Sequence, residues 1–491
     1  MRSSGILMPI FSLPTKGGIG TFGNEAYRFI DFLEKSGQSW WQTLPLNPTN
    51  FGDSPYQSFS AYAGNPYFID PELLIIDELL TRKELESFDF GDGVTVDYEK
   101  LYRCRLDMLR LAFLRFTPSE EYTDFCNENS YWLNDFALFM VLKKANNEAS
   151  WSEWKKSLKF RDKEYLAQVE NANRKELEFY KFIQFVFFKQ WYKLKNYANK
   201  KGIGIIGDLP IYIAYDSADV WTEPNEFRLD SDLLPTSVAG CPPDKFSPQG
   251  QLWGNPLYEW ERMKQNDFLW WKKRIAHSLK MYDVIRLDHF RGFEAYWSVS
   301  AKEDTAVNGQ WRNGPGIDLF NSLKSHFGDK LQIIAEDLGF VTPEVKKLLK
   351  DTGFFGMKVI QFAFDSDSSN PYLPHNYEKN CVVYTGTHDN NTNIGWEENA
   401  GETELRFAKR YLNLSENEDV NYGMIRAALM SVADISIINM QDLLRLGSEA
   451  RINTPSTIGN NWKWRMNGTS VNDALAEKLL YYTELYFRTR I

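Results

Sequence analysis

The stretch Leu331-Gln-Ile-Ile-Ala-Glu-Asp-Leu-Gly339, followed by Val341-Thr-Pro-Glu-Val-Lys-Lys-Leu-Leu-Lys-Asp-Thr-Gly353 and then Met357-Lys-Val-Ile-Gln-Phe362, reads as one strand-helix-strand unit. A short apolar run ends in acids and a glycine turn. Thr342 is placed to cap a helix, Pro343 suits its first position, and Gly353 can close it. The next apolar run follows at once, which requires parallel strands joined by a crossover helix. Working outward, further short apolar runs lie at 6–10, 40–46, 203–207, 284–287, 332–335, 357–362, 382–385 and 435–440. Helical patterns separate many of these eight runs. Eight such units favour closure into a (β/α)₈ barrel, so the expected class is α/β.

The spacing is uneven in two places. The stretch from 46 to 203 is far longer than one crossover needs, and helical patterns at 101–116, 131–145 and 174–200 fill much of it. We expect a helical insertion over 56–175, after the second strand, with the 174–200 helix belonging to the barrel. Residues 217–260, rich in Pro, Gly and Asp, are expected to form loops over the active face. The whole chain, 1–491, is otherwise one catalytic barrel without a separate C-terminal β-domain. Met424 and Leu429 read as ordinary helix core.

Composition narrows the function. The chain has 491 residues and a net charge of −10, with no basic run, which disfavours nucleic acid as a partner. No stretch approaches the ~20 apolar residues of a membrane helix. The start lacks the apolar core and cleavage site of a leader, and four dispersed cysteines (Cys104, Cys126, Cys241, Cys381) suggest neither a disulfide framework nor a zinc site. A soluble, cytoplasmic protein is expected. Aromatic residues reach 15 % of the chain. A large aromatic core explains that number more simply than a sugar-stacking groove does.

Three segments carry candidate chemistry. In Tyr282-Asp-Val-Ile-Arg-Leu-Asp-His-Phe-Arg-Gly292, Arg286 and Asp288 share one face of a strand. A guanidinium there keeps a carboxylate ionised, as a nucleophile requires, although an ion pair that closes the barrel is an equal alternative. Glu336 and Asp337 end a mostly apolar run, where an acid is costly in a core but useful at a barrel mouth as a general acid and base. A helix N-cap is the plainer role for Asp337. In Cys381-Val-Val-Tyr-Thr-Gly-Thr-His-Asp-Asn-Asn391, His388 and Asp389 again follow a β-rich run. Two of the five histidines, His289 and His388, stand beside these acids. Three carboxylates at three strand ends suit retaining glycoside chemistry, with nucleophile and acid ~5–5.5 Å apart.

These motifs resemble those of the α-amylase clan. Longer stretches resemble the amylomaltase or disproportionating-enzyme family, glycoside hydrolase family 77. They are Asp53-Ser-Pro-Tyr-Gln-Ser-Phe-Ser-Ala-Tyr-Ala-Gly-Asn-Pro66, Gly207-Asp-Leu-Pro-Ile-Tyr-Ile213, Gly240-Cys-Pro-Pro-Asp-Lys-Phe-Ser-Pro-Gln-Gly-Gln-Leu-Trp-Gly-Asn-Pro256, Leu446-Gly-Ser-Glu-Ala-Arg-Ile-Asn-Thr-Pro455 and Asn461-Trp-Lys-Trp-Arg465. The resemblance implies 4-α-glucanotransferase activity. A segment of a maltooligosaccharide, or of a glucan derived from starch or glycogen, would pass to the 4-hydroxyl of another glucan or of glucose. It implies Asp288 as nucleophile, Glu336 as acid/base and Asp389 as stabiliser of the transition state. Tyr56, Asp208, Arg286 and His388 would line the reacting sugar's pocket, with Ser54, Asp337 and Asn461 as further sugar contacts. Asp244, Phe246, Gln251 and Trp253 would sit on a loop arching over the groove. Packing at the barrel mouth is the bland alternative for the rings of Tyr56 and Trp253. No cofactor or metal is implied: Leu-Pro-Ile-Tyr-Ile after Asp208 departs from the amylase pattern that holds calcium. An α-1,4-glucan hydrolase is the nearest alternative, and a catalytically silent glucan-binding protein is a more distant one.

Overall fold

The computed structural model describes residues 2–243, 247–339, 341–415 and 418–489. Among the described residues twelve strands occur in chain order: β1 (Ser3–Leu7), β2 (Trp40–Gln42), β3 (Gly204–Leu209), β4 (Ser237–Cys241), β5 (Gln251–Pro256), β6 (Val284–Leu287), β7 (Ala295–Ser300), β8 (Gln310–Asn313), β9 (Ile333–Ala335), β10 (Gly356–Val359), β11 (Cys381–Tyr384) and β12 (Ile435–Asn439). Eight of them pair in parallel in the order β10-β11-β12-β1-β2-β3-β6-β9. The ends meet through Phe355, just before β10: its carbonyl accepts from the Ala335 N–H at 2.7 Å, and its own N–H donates to Ile333. The sheet is therefore a closed (β/α)₈ barrel, as eight alternating units require.

The 343–352 crossover forms as its sequence dictates. Helix Pro343–Thr352 starts with the Thr342 side chain accepting from the Val345 N–H, and Gly353 ends it at φ 65°. That left-handed turn is open to glycine without strain. Asp337 is not the cap. The crossover from β10 to β11 has only 3₁₀ turns (Ile360–Phe362 and Pro374–Asn376) and no α-helix among the described residues. Its Asp365-Ser-Asp-Ser-Ser-Asn370 run, followed by Pro371, favours turns over helix.

The first strand starts three residues earlier than apolarity suggests. Ser3, Ser4 and Gly5 pair with Ile435, Ser436 and Ile437 of β12, while Pro9, which has no N–H to donate, follows the strand end. Gly5 is needed there, because a Cβ would come within 2.4 Å of the Trp40 carbonyl.

Between β2 and β3 lie seven helices from Pro71–Ile76 to Lys163–Ala172, followed by the long helix Arg174–Lys200. Phe182, Phe185 and Phe188 of that last helix meet Phe116, Tyr122, Phe125 and Trp132 in a cluster of mostly tilted aromatic rings. Trp41, Trp151, Trp191, Trp221 and Trp271 are fully buried, so most of the aromatic excess is core. Met424 and Leu429 are buried in helix Val420–Met430. No helix among the described residues is long and apolar enough to cross a membrane.

The 217–260 segment contains more than loops. β4 and β5 join β7 and β8 in a second, antiparallel sheet of order β5-β4-β7-β8. Its strands are short, β4 and β5 each carry a glycine, β8 is exposed throughout, and β4 finds its partner β7 far along the chain, so local periodicity carries no sign of it.

Candidate active site

The carboxylates stand at the C-terminal rim because the parallel strands end together there. Asp208 on β3 and Arg286 on β6 are register partners. Both side chains turn inward, and the Arg286 guanidinium donates to the two Asp208 oxygens at 2.7 and 2.8 Å. It also lies 2.9 Å from Asp288 Oδ1, one residue beyond β6. Asp208 is sealed from solvent while Asp288 keeps 28 % of its side chain exposed. Burial opposes the Arg286 charge, yet the two aspartates outweigh it and raise its pKa. Arg286 thus both bridges β3 to β6 and supports the Asp288 carboxylate.

Glu336 follows β9, whose Ala335 is in register with Leu287. Asp288 and Glu336 are therefore the next neighbours on adjacent strands, which run ~4.8 Å apart. Both oxygens of Glu336 accept backbone N–H groups, from His289 and Leu338, each at 2.8 Å. Burial, with the Asp288 charge adding to it, still raises its pKa to about 8. The His289 N–H points at Glu336 because His289 adopts a left-handed backbone, φ 52°. Its ring stands edge-on to Trp253 at 4.8 Å.

Asp389 lies in the loop after β11, with its side chain 46 % exposed and His388 Nε2 at 3.3 Å. The Tyr56 hydroxyl donates to Asp208 at 2.7 Å and lies 3.4 Å from His388 Nδ1. The two rings stack at 5.0 Å. Tyr56 thus ties the Asp208 side of the rim to the Asp389 side, and Ser54 Oγ accepts the Tyr56 N–H at 3.3 Å.

The remaining candidates divide. Gln251 and Trp253 are joined by a 3.1 Å hydrogen bond on β5. Asp244 and Phe246 lie outside the described residues. Asp337 is buried and accepts the Met357 N–H at 2.6 Å, so its carboxylate holds the start of β10. Asn461 accepts from the Thr454 N–H and donates to the Thr457 carbonyl, and its amide serves its own loop.

Other residues near the site had no role legible beforehand. Asn453 Nδ2 donates to Asp389 Oδ1 at 2.6 Å, and Arg451 donates to the Asp389 carbonyl at 2.7 Å. Trp462 leans on both Tyr56 and His388, at 5.8 and 5.9 Å. Asp442, fully buried after β12, accepts from Thr385 Oγ1 at 2.6 Å and from the Asn393 N–H at 2.7 Å. These two bonds grip both ends of the 385–393 segment that carries His388 and Asp389. Asn at 442 keeps one acceptor and faces one of those donors with an N–H₂, at a cost of about 1–3 kcal/mol. If the 385–393 segment serves catalysis, Asp442→Asn is expected to lower kcat roughly ten- to hundredfold with a smaller change in KM. Steady-state kinetics test this, and an unchanged kcat would refute it.

Comparison with known proteins agrees with this geometry. A family model described as 4-alpha-glucanotransferase matches residues 8–471. The chain belongs to the 4-α-glucanotransferase family. It is 52 % identical over 486 residues to the 4-alpha-glucanotransferase of Clostridium butyricum, covering 98 % of this chain and 100 % of that one. The Aquifex aeolicus 4-alpha-glucanotransferase is 50 % identical over 469 residues, with 95 % and 96 % covered. The amylomaltase from Streptococcus agalactiae, solved in complex with acarbose, superposes with a TM-score of 0.97 at 42 % identity, with both chains fully covered. Transfer, rather than hydrolysis, is the activity that this membership supports.

Proposed function

We propose that the chain transfers α-1,4-glucan segments by a retaining double displacement. Asp288 attacks the anomeric carbon of the donor while Glu336 protonates the leaving 4-oxygen. Glu336, now ionised, then takes the proton of an acceptor 4-hydroxyl as that oxygen displaces Asp288. Asp389 stabilises the oxocarbenium-like state, and Tyr56, Asp208, Arg286 and His388 hold the reacting ring. The observation that carries this reading is the pairing of Asp288 and Glu336 on adjacent strand ends. A guanidinium supports the first acid, and burial keeps the second protonated at neutral pH.

The donors are maltooligosaccharides and glucans derived from starch or glycogen, and glucose serves as an acceptor. The protein works in the cytoplasm, consistent with a cysteine content of only four in 491 residues, dispersed along the chain. The test is incubation with pure maltotriose, which is expected to give glucose together with a ladder of oligosaccharides longer than the substrate. Maltose and glucose alone, with no longer product, would instead establish hydrolysis.

A further inference from the structure

The second sheet contains an aromatic feature that the reaction does not use. Leu252 of β5 is in register with Gly240 of β4, Gly240 with Trp297 of β7, and Trp297 with Trp311 of β8. Residues directly opposite one another share a face, so these four form one row across the sheet. Trp253, next to Leu252, has the opposite parity and turns to His289. The row therefore occupies the face turned away from the nucleophile.

Trp311 is 39 % exposed, and every residue of β8 is exposed. Its ring is nevertheless fixed. The Arg291 guanidinium lies 3.7 Å from its centroid, and the Trp297 ring meets it edge-on at 5.1 Å. Trp297 is itself held by its indole N–H donating to the Ala306 carbonyl at 2.8 Å. An indole supported by a cation and a second ring, yet open to solvent, is a preorganised flat surface that loses little entropy on binding. Asn313, of the same parity two residues along β8, adds an exposed amide on this face. Leu252, 36 % exposed, extends the apolar row past the glycine gap.

We propose that this row, centred on Trp311, is an accessory platform that holds an α-1,4-glucan chain outside the cleft. A pyranose ring presents an apolar C–H face to stack on the indole and a rim of hydroxyls for the neighbouring Asn313 amide. The sheet is continuous with the site. The Phe290–Phe293 turn follows His289 directly, β7 starts two residues later, and the Gly314 N–H donates to the Glu294 carbonyl at 2.7 Å to close the hairpin. Long glucans held there are retained near the cleft, whereas a trisaccharide is too short to need the platform. The proposal rests on the glucanotransferase reading above.

Two measurements test it. In an otherwise unaltered chain, Trp311→Ala is expected to raise KM for amylose about five- to tenfold while maltotriose turnover stays within twofold. In the Asp288→Asn background, where glucan is not consumed, amylose cast into a native gel is expected to retard the protein. Adding Trp311→Ala relieves that retardation, and Trp311→Phe, which keeps a flat ring, preserves most of it. Unchanged amylose KM and gel mobility would overturn the platform. So would an equal loss on maltotriose and amylose, which marks a structural role for the ring. A change in oligomeric state without any glucan effect would assign the patch to protein contacts instead. Failure of the glucanotransferase reading is separate: it appears as a missing maltotriose ladder in the unaltered chain.

Discussion

Replacing Asp288 with Asn is expected to cut turnover of maltotriose by at least about 10⁴-fold while leaving the fold and glucan binding intact. A carboxylamide is a far weaker nucleophile, so the covalent first step is lost, and lost nucleophiles cost on that scale or more. The fold survives because Arg286 keeps its paired contacts to Asp208, at 2.7 and 2.8 Å, and Asp288 is partly solvated. The substitution also has an electrostatic consequence one strand away. The Asp288 charge is the second cause, after burial, of the raised Glu336 pKa. With that charge removed, Glu336 is expected to titrate below about 8 yet still above the ordinary range, because its burial remains. A ¹³C titration of labelled glutamate carboxyls in parent and variant measures the shift. In the proposed double displacement the same coupling is used: once Asp288 is a neutral ester, Glu336 is pushed from acting as an acid towards acting as a base. Near-normal turnover in the variant would remove Asp288 from the nucleophile role.

How much of this was legible depended on how local each signal was. The β9-helix-β10 unit could be read completely, because Thr342, Pro343 and Gly353 act within their own helix. The candidate acids Asp288 and Glu336 were legible for a similar reason: acids that end an apolar run are anomalous in a core. Arg451 and Asn453 sit in a quoted motif, but their bonds to Asp389 span more than sixty residues, and no local pattern specifies them. Asp442 gave no signal, since its importance lies only in the two distant donors that it accepts. Asp337 shows the converse. It follows Glu336 directly in the chain, yet backbone alternation turns it away, to the Met357 N–H. The four-stranded sheet was missed because its pairing is non-local and its strands carry glycine and polar residues.

Replacing Glu336 with Gln is expected to lower maltotriose turnover roughly 10²–10⁴-fold, the usual contribution of a general acid and base. The amide is isosteric and its oxygen can still accept one of the His289 and Leu338 N–H groups, so binding changes little. Because fluoride leaves without a proton, the variant is expected to retain much more of its rate for forming the glycosyl ester from α-maltosyl fluoride. An equal loss on both donors would argue against the acid role. In the parent, kcat/KM is expected to fall as pH rises through about 8, where Glu336 loses the proton that it must donate, and the variant lacks that limb. The same proton is expected to govern stability at lower pH. A glutamate in the unfolded chain ionises near pH 4.3, whereas Glu336 in the folded protein does so only near 8. Between those values the unfolded state gives up a proton that the folded state keeps, so the parent loses stability as pH rises. Above about 8 both states are ionised and the loss stops growing. The melting temperature of Glu336→Gln relative to the parent should therefore rise from pH 5 to 8 and level off beyond. A gap that does not change with pH would mean that Glu336 titrates like an exposed acid, and burial could not then hold its proton for catalysis.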